Sequence, residues 1–296
     1  MASRRWEPGD LVFQGGASLH LVHGSPRYSE DLDFQVNSSL KLQSLAKAVE
    51  ARLEGASWLV PEDARLSVSK AKDACNPHTF VVAIGGPDLI GAVRIKVELR
   101  RVKESALSAV KTTIAPVRLV QGAASGMQTF VPTAELPEIY VDKVFALGAP
   151  PYLKARDVFD LHWLAAHGVS GVCTQETLRV RLATCPGETA TAWLAKARAR
   201  RKELASSSGA VAEDLKRWLP STWPLSEAAV QSMVRTAVES LDEGVQLMRK
   251  IEAAPQQGGV PFACVRDTRC LVPNRGYRWR PQRDSNPCYR RERAMS

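Results

Sequence analysis

Strict alternation is clearest at residues 93–102, where Arg94-Ile95-Lys96-Val97-Glu98-Leu99 sets Ile95, Val97 and Leu99 against Arg94, Lys96 and Glu98. Alternation with period two predicts a half-buried strand. Asp31-Leu32-Asp33-Phe34 repeats the pattern, with Leu32 and Phe34 toward a core and both acids on the other face. Shorter strand-like runs fall at 64–69 and 79–84, and Gly85-Gly86-Pro87-Asp88 predicts a hairpin or loop before the run at 93. Upstream, Gly15-Gly16 followed by Ala17, Leu19, Leu21 and Val22 predicts a tight turn into a helix. Apolar residues at 42, 45, 46, 49 and 53 have helical spacing, with Gly55 as a stop. Residues 121–132 (QGAASGMQTFVP) turn small and polar, as a linker would. Helical spacing then dominates at 134–147, 154–166, 174–184, 190–206 and 211–219, with residues 206–209 as a loop. Val230, Val234, Val238, Leu241, Val245 and Met248 form one stripe of a longer helix over 225–251, a packing face. The expected class is α/β (α+β): a core over 1–125 with a small mixed sheet, then a helical domain over 126–253.

Composition narrows this modestly. A chain of 296 residues holds one large domain or two smaller ones. It has no apolar run long enough to span a bilayer, and its charged start, MASRRWEPGD, is no signal peptide. A cytoplasmic protein without membrane contact is expected. The 6 cysteines show no CxxC and no nearby histidine partner, so neither a disulfide framework nor zinc is indicated. The five histidines likewise form no ligand set. Of the net charge of +9, most sits in the arginine-rich stretch 254–296, which lacks periodicity and is expected to be a disordered tail. Residues 283–296 can be encoded by the complement of a tRNA's anticodon and T arms, as in a reading frame that runs into an antisense tRNA gene. The remaining mild positive balance permits nucleic acid without requiring it.

The chemistry concentrates at residues 13–36. Two carboxylates on one face of a strand repel in an apolar setting, and a shared hard divalent cation relieves them. A glycine turn opening a helix offers backbone N–H groups to phosphate. Together they suggest metal-assisted nucleotidyl transfer; the bland alternative is a glycine turn beside an exposed acidic strand end. If the polar face of 94–98 abuts the Asp31–Phe34 strand, Glu98 becomes a third carboxylate. Asp157 and Asp160 share a helix face, and could equally be a helix-start charge cluster serving stability. The basic run 196–202 (KARARRK) is either a solvated face or a contact for an RNA backbone, as are Arg94 and Lys96.

Over roughly residues 8–165 the motifs resemble a known family. Gly15-Gly16-Ala17-Ser18-Leu19 and Arg27-Tyr28-Ser29-Glu30-Asp31-Leu32-Asp33-Phe34 are similar to the GGxxL and RxSxDLDF of the AbiEii toxin nucleotidyltransferases. That group includes the mycobacterial MenT toxins and belongs to the polymerase-β-like superfamily. Ile95-Lys96-Val97-Glu98 resembles the family's IKx(D/E) strand, Glu138 with Lys143 its ExxxxK, and Arg156, Asp157, Asp160 and Leu161 its RDxxDL. The family commonly carries Thr after the glycines; this chain has Ala17 there and Ser18 next. The resemblance implies an N-terminal nucleotidyltransferase domain in which Asp31, Asp33 and Glu98 hold Mg²⁺. It implies nucleotide contacts from Gly15, Gly16, Ser18, Ser29 and Lys143, with Asp31, Asp33, Lys143, Asp157 and Asp160 catalytic. NTP would be the donor, the 3′ end of tRNA the acceptor, and a separately encoded antitoxin the partner. Two rival readings stand beside it: transfer to a small molecule such as an aminoglycoside or to a protein, and a non-catalytic nucleotide-binding regulator.

Overall fold

The computed structural model describes residues 9–40, 42–55, 60, 62–70, 76–87, 93–118, 129–150, 152–185 and 187–254. Four strands and two helices carry the expected N-terminal pattern: β2 (Asp31–Asn37), β3 (Arg65–Lys70), β4 (His78–Gly85), β5 (Val93–Val102), α1 (Gly15–Leu21) and α2 (Leu42–Glu54). Four further elements were not anticipated: β1 (Leu11–Gln14), α3 (Glu104–Ser108), β6 (Thr112–Val117) and β7 (Thr129–Ala134). The helices α4 (Leu136–Gly148), α5 (Ala155–Ala166), α6 (Gln175–Thr184), α7 (Ala190–Leu204), α8 (Ser208–Leu215) and α9 (Glu227–Ala253) follow. Two expectations need correcting. Residues 129–132, read as linker, open β7, and Ser208-Gly209, read as loop, begin α8. The tail, Asp88 and most of the linker lie outside the described residues.

The seven strands form one mixed sheet in the order β3-β4-β5-β2-β1-β7-β6. β2 pairs parallel to β5 and β1 parallel to β7, and the other neighbours are antiparallel. Strand β7 thus belongs to the sheet although it lies beyond residue 125. Because alternate residues face opposite sides, the sheet feeds two cores. On one face Phe13, Phe34, Val97 and Leu99 meet Ala17 and Val22 near α1 and Leu42 of α2. Phe13 and Phe34, paired in register, stack with centroids 4.8 Å apart. On the other face Val12, Val102 and Ala134 join the helical core of Val144, Leu161, Trp193 and Met248.

Local signals start the helices. Ser226 accepts a hydrogen bond from the Ala229 N–H and caps α9, and Thr174 with Thr177 forms a capping box on α6. α9 buries the predicted stripe through Val230, Val234, Leu241, Val245 and Met248. Full burial of each such side chain stabilises by about 1.5–3 kcal/mol. That packing holds α4 and α5 over the polar face of β2 and β5.

Candidate active site

Asp31 and Asp33 leave β2 on the face opposite Phe34. The parallel register sets Asp31 against Lys96 and Asp33 against Glu98 of β5, so Glu98 does stand beside the acid pair. The Lys96 Nζ lies 3.3 Å from Asp31 Oδ2 and 3.0 Å from Glu98 Oε1. Burial pushes the Asp33 carboxyl above its ordinary value, and the neighbouring charges of Glu98 and Asp31 push the same way. Lys143 and Lys96 oppose this without reversing it. Burial alone would lower Lys96, but its hydrogen bond to Glu98 and the charge of Asp31 raise it. Among the described residues no three His, Cys, Asp or Glu side chains converge as a metal cage.

The two glycines fit two different neighbours. Gly15 turns the chain from β1 into α1 with φ +76°, and a Cβ there would sit 2.7 Å from Asp33 Oδ2. At Gly16 a Cβ would run into the Arg27 guanidinium. Arg27, only 2% exposed, grips Asp160 of α5 through two bonds, Nε to Oδ1 at 2.7 Å and Nη2 to Oδ2 at 2.9 Å. Its Nη1 donates to the Tyr28 carbonyl at 2.8 Å. From α4, Lys143 reaches Asp157 Oδ1 and Asp160 Oδ2, each at 2.7 Å. Burial would raise the Asp160 carboxyl; Lys143 and Arg27 override it and hold it below the ordinary carboxylate range. Burial would lower Lys143, but Asp157 and Asp160 keep its ammonium charged.

A family model described as the nucleotidyl transferase AbiEii toxin of a type IV toxin–antitoxin system matches residues 4–234. The chain belongs to the AbiEii nucleotidyltransferase toxin family. It is accordingly a nucleotidyltransferase, with an NTP substrate and an antitoxin partner implied by its family. Among solved structures, JHP933 from Helicobacter pylori is 20% identical, with a TM-score of 0.44, covering 82% of this chain and 89% of that one. MenT4, a nucleotidyltransferase toxin from Mycobacterium tuberculosis H37Rv, is 17% identical with a TM-score of 0.46, covering 84% of each. No curated protein matches.

Within this AbiEii chain the expected residues do not all gather in one place. Gly15, Gly16, Asp31, Asp33, Glu98, Lys143, Asp157 and Asp160 come together, and Ser29 stands at the mouth of β2, its hydroxyl 3.4 Å from the Asp31 carbonyl. Ser18 does not join them. It is fully buried, its hydroxyl 2.6 Å from that of Thr133, which in turn donates to the Phe13 carbonyl at 3.1 Å. With the Thr133 proton so used, Ser18 donates to Thr133, and this pair ties α1 to β7 rather than contacting phosphate. Glu138 is also internal, held by Arg181 at 2.7 Å.

Of the basic run 196–202, Arg200 is buried, while Lys196, Arg198, Arg201 and Lys202 are exposed. Arg200 donates to the Leu147 and Pro150 carbonyls and caps α4 at its C-terminal end. Lys196 pairs with Glu188, and Arg201 with Asp242. Sequence reasoning assigned no role to Arg27, to Thr133 or to Lys96 as a partner of the acids. Nor did it find Trp218, which carries the Arg156 guanidinium 4.2 Å above its ring and accepts the Tyr28 N–H at its carbonyl. That contact fixes the loop bearing Arg27 against α5. The only sequence signal for it was the Arg27–Phe34 motif itself, whose arginine had to have a partner.

Proposed function

We propose that this AbiEii chain transfers a nucleoside monophosphate from NTP to the 3′-hydroxyl of tRNA with Mg²⁺ as its divalent ion. It would act in the cytoplasm, block aminoacylation and translation, and be restrained by a separately encoded antitoxin. The observation that supports this best is the register of β2 on β5, which places Asp31, Asp33 and Glu98 side by side next to the Gly15 turn. Their oxygens are hard donors, and three carboxylates side by side on one face of the sheet repel one another in a way a divalent cation would relieve, so the residues fit such an ion. Held by Asp31, Asp33 and Glu98, Mg²⁺ would supply charge neutralisation on the triphosphate.

The chain's own side chains supply the rest. The Gly15 turn at the start of α1, half-buried beside Asp33, would bring its backbone toward phosphate, while the buried Gly16 makes room for the Arg27 guanidinium. Lys143, charged and close enough to act on Asp33, would orient the β- and γ-phosphates. Asp160, gripped by Arg27 and Lys143, positions both cations. Asp157 or Asp160 would be the carboxylate that takes the proton of the attacking 3′-hydroxyl as pyrophosphate leaves; Asp157, with its side chain 8% exposed, is the more open of the two. Arg94, exposed on the same face of β5, could meet the acceptor backbone. Among the described residues no helix is long and apolar enough to cross a membrane.

The test is incorporation of labelled NTP into tRNA with intact or periodate-oxidised 3′ ends, across a salt series. Label only on intact tRNA, falling steeply with salt through counterion release, is expected. Equal labelling of oxidised tRNA, or none at any salt, overturns the assignment. Label on an aminoglycoside-like molecule or a protein instead would redirect it to that acceptor.

A further inference from the structure

We propose that Lys96 is a built-in counterion that occupies the gap between Asp31 and Glu98 and must be displaced before a divalent cation can bridge them. This rests on the reading of Asp31, Asp33 and Glu98 as the metal-holding acids. Lys96 is directly opposite Asp31, and Glu98 directly opposite Asp33, so the four side chains mark the corners of one patch of the sheet. Neighbours across strands are about 4.8 Å apart and alternate residues along a strand about 6.6 Å apart. A long side chain at one corner can therefore lay its head between two others, and the Nζ does so, touching one oxygen of each acid.

An ammonium and a divalent ion cannot share those oxygens, because like charges about 4 Å apart repel strongly wherever water is partly excluded. Cation entry thus requires Lys96 to swing away. The residue suits that motion: it is 40% exposed, and lysine is a compact charge on a flexible stem. With the ammonium in place, Asp31 and Glu98 each turn one oxygen to it while Asp33 makes no ion pair with it, which agrees with the lack of a preformed cage among the described residues. Lys96 would thereby lower metal affinity, keep the metal-free sheet from being split by its own acids, and on release carry its charge toward the incoming triphosphate.

The experiment is Mn²⁺ binding to the full chain without nucleotide, followed by the electron paramagnetic resonance of free Mn²⁺. Wild type would be compared with Lys96→Met, Lys96→Gln, Lys96→Arg and Asp33→Asn, with a thermal melt of each ± Mn²⁺. Losing two partly exposed ion pairs as competitors should tighten Mn²⁺ binding to Lys96→Met and Lys96→Gln roughly three- to thirty-fold. Both variants should melt lower without metal and gain more from Mn²⁺ than wild type does. Lys96→Arg should retain the wild-type affinity. If wild type binds Mn²⁺ more tightly than Asp33→Asn while the Met and Gln variants bind no more tightly than wild type, the counterion role fails and the metal assignment survives. If wild type and the Lys96 variants bind no better than Asp33→Asn, both fail together.

Discussion

On β2 and β5 three carboxylates, Asp31, Asp33 and Glu98, have one close ammonium, Lys96. On α4 and α5 two carboxylates, Asp157 and Asp160, meet Lys143 and Arg27. The first cluster is half open to solvent and short of positive charge; the second is almost wholly buried and matched. Buried charge persists only where it is paired and hydrogen-bonded, so the matched cluster can serve as a clamp between the helices and the loop after α1. In the unmatched one, burial first and then the charges of Glu98 and Asp31 raise the affinity of Asp33 for protons. Such a debt of positive charge suits a site that takes up a cation to work. The two clusters touch electrostatically through Lys143, which acts on Asp33 as well as on its own partners.

The largest expected effect strikes the unmatched cluster. Asp31→Asn or Asp33→Asn should reduce nucleotidyl transfer by several orders of magnitude, because each removes a charge that holds the ion supplying several kcal/mol of transition-state stabilisation. The metal-free fold should not suffer: Asp33→Asn also removes repulsion from Glu98 and Asp31, so its melting temperature should equal or exceed that of wild type. Near-normal turnover with an unchanged melt would refute the metal assignment.

Arg27→Ala breaks the matched cluster and should have the opposite signature. Truncating one partner of a buried pair costs about 3–5 kcal/mol by leaving an uncompensated charge. Asp160 would keep Lys143 but lose two bonds from the guanidinium. Urea unfolding should show a lower midpoint at unchanged slope. A loss below 1 kcal/mol would mean that Arg27 is not the clamp.

The unequal legibility of the two clusters has a physical cause. Period-two alternation over Val93–Val102 and the Asp-Leu-Asp-Phe step is strong enough to orient both strands, so Glu98 beside Asp33 follows from their pairing alone. The long stripe of α9 is similarly self-declaring. The matched cluster depends on contacts between distant positions: Arg27 and Asp160 meet only because Gly16 has no side chain and Trp218 fixes the Tyr28 backbone. No local pattern encodes that. β1 is 4 residues long and carries too few positions to show a period. β6 and β7 each contain a proline, Pro116 and Pro132, which ordinarily demotes a strand reading. Ser18 misled because a hydroxyl beside glycines looks the same in sequence whether it turns to a phosphate or to Thr133.

The glycine pair offers a finer test, since each glycine touches one cluster. Gly15→Ala forces a positive φ on a side chain and crowds Asp33; Gly16→Ala crowds Arg27. Each should cost about 1–3 kcal/mol by strain or overpacking. In double-mutant cycles Gly16→Ala should couple to Arg27→Ala, because the added methyl then no longer meets the guanidinium, while Gly15→Ala should add independently. Coupling of both glycines to Arg27 would merge the clusters into one unit.

The smallest effect is a matter of sign and is read from melting temperature against pH in chelator. Asp33 has a folded-state carboxyl raised above its unfolded value, chiefly by burial and then by Glu98 and Asp31, against Lys143 and Lys96. The folded protein therefore binds that proton more readily than the unfolded chain. Its ionised form costs stability above the folded value, and the cost fades as pH falls toward the unfolded value near 3.9. Asp160 is the reverse: burial would raise its carboxyl, but Lys143 and Arg27 depress it. Its stabilisation is present above about pH 3.9 and is lost only as pH drops through the lower folded value. Hence Asp33→Asn should gain most over wild type at neutral pH, with the gain shrinking in mild acid. Asp160→Asn should lose most at neutral pH, and its deficit should persist through mild acid and close only well below pH 3.9. Two curves of opposite sign, converging on wild type in different pH windows, are the expected outcome. Parallel curves, or an Asp33→Asn deficit at neutral pH, would show that the acids on β2 and β5 are already matched in charge.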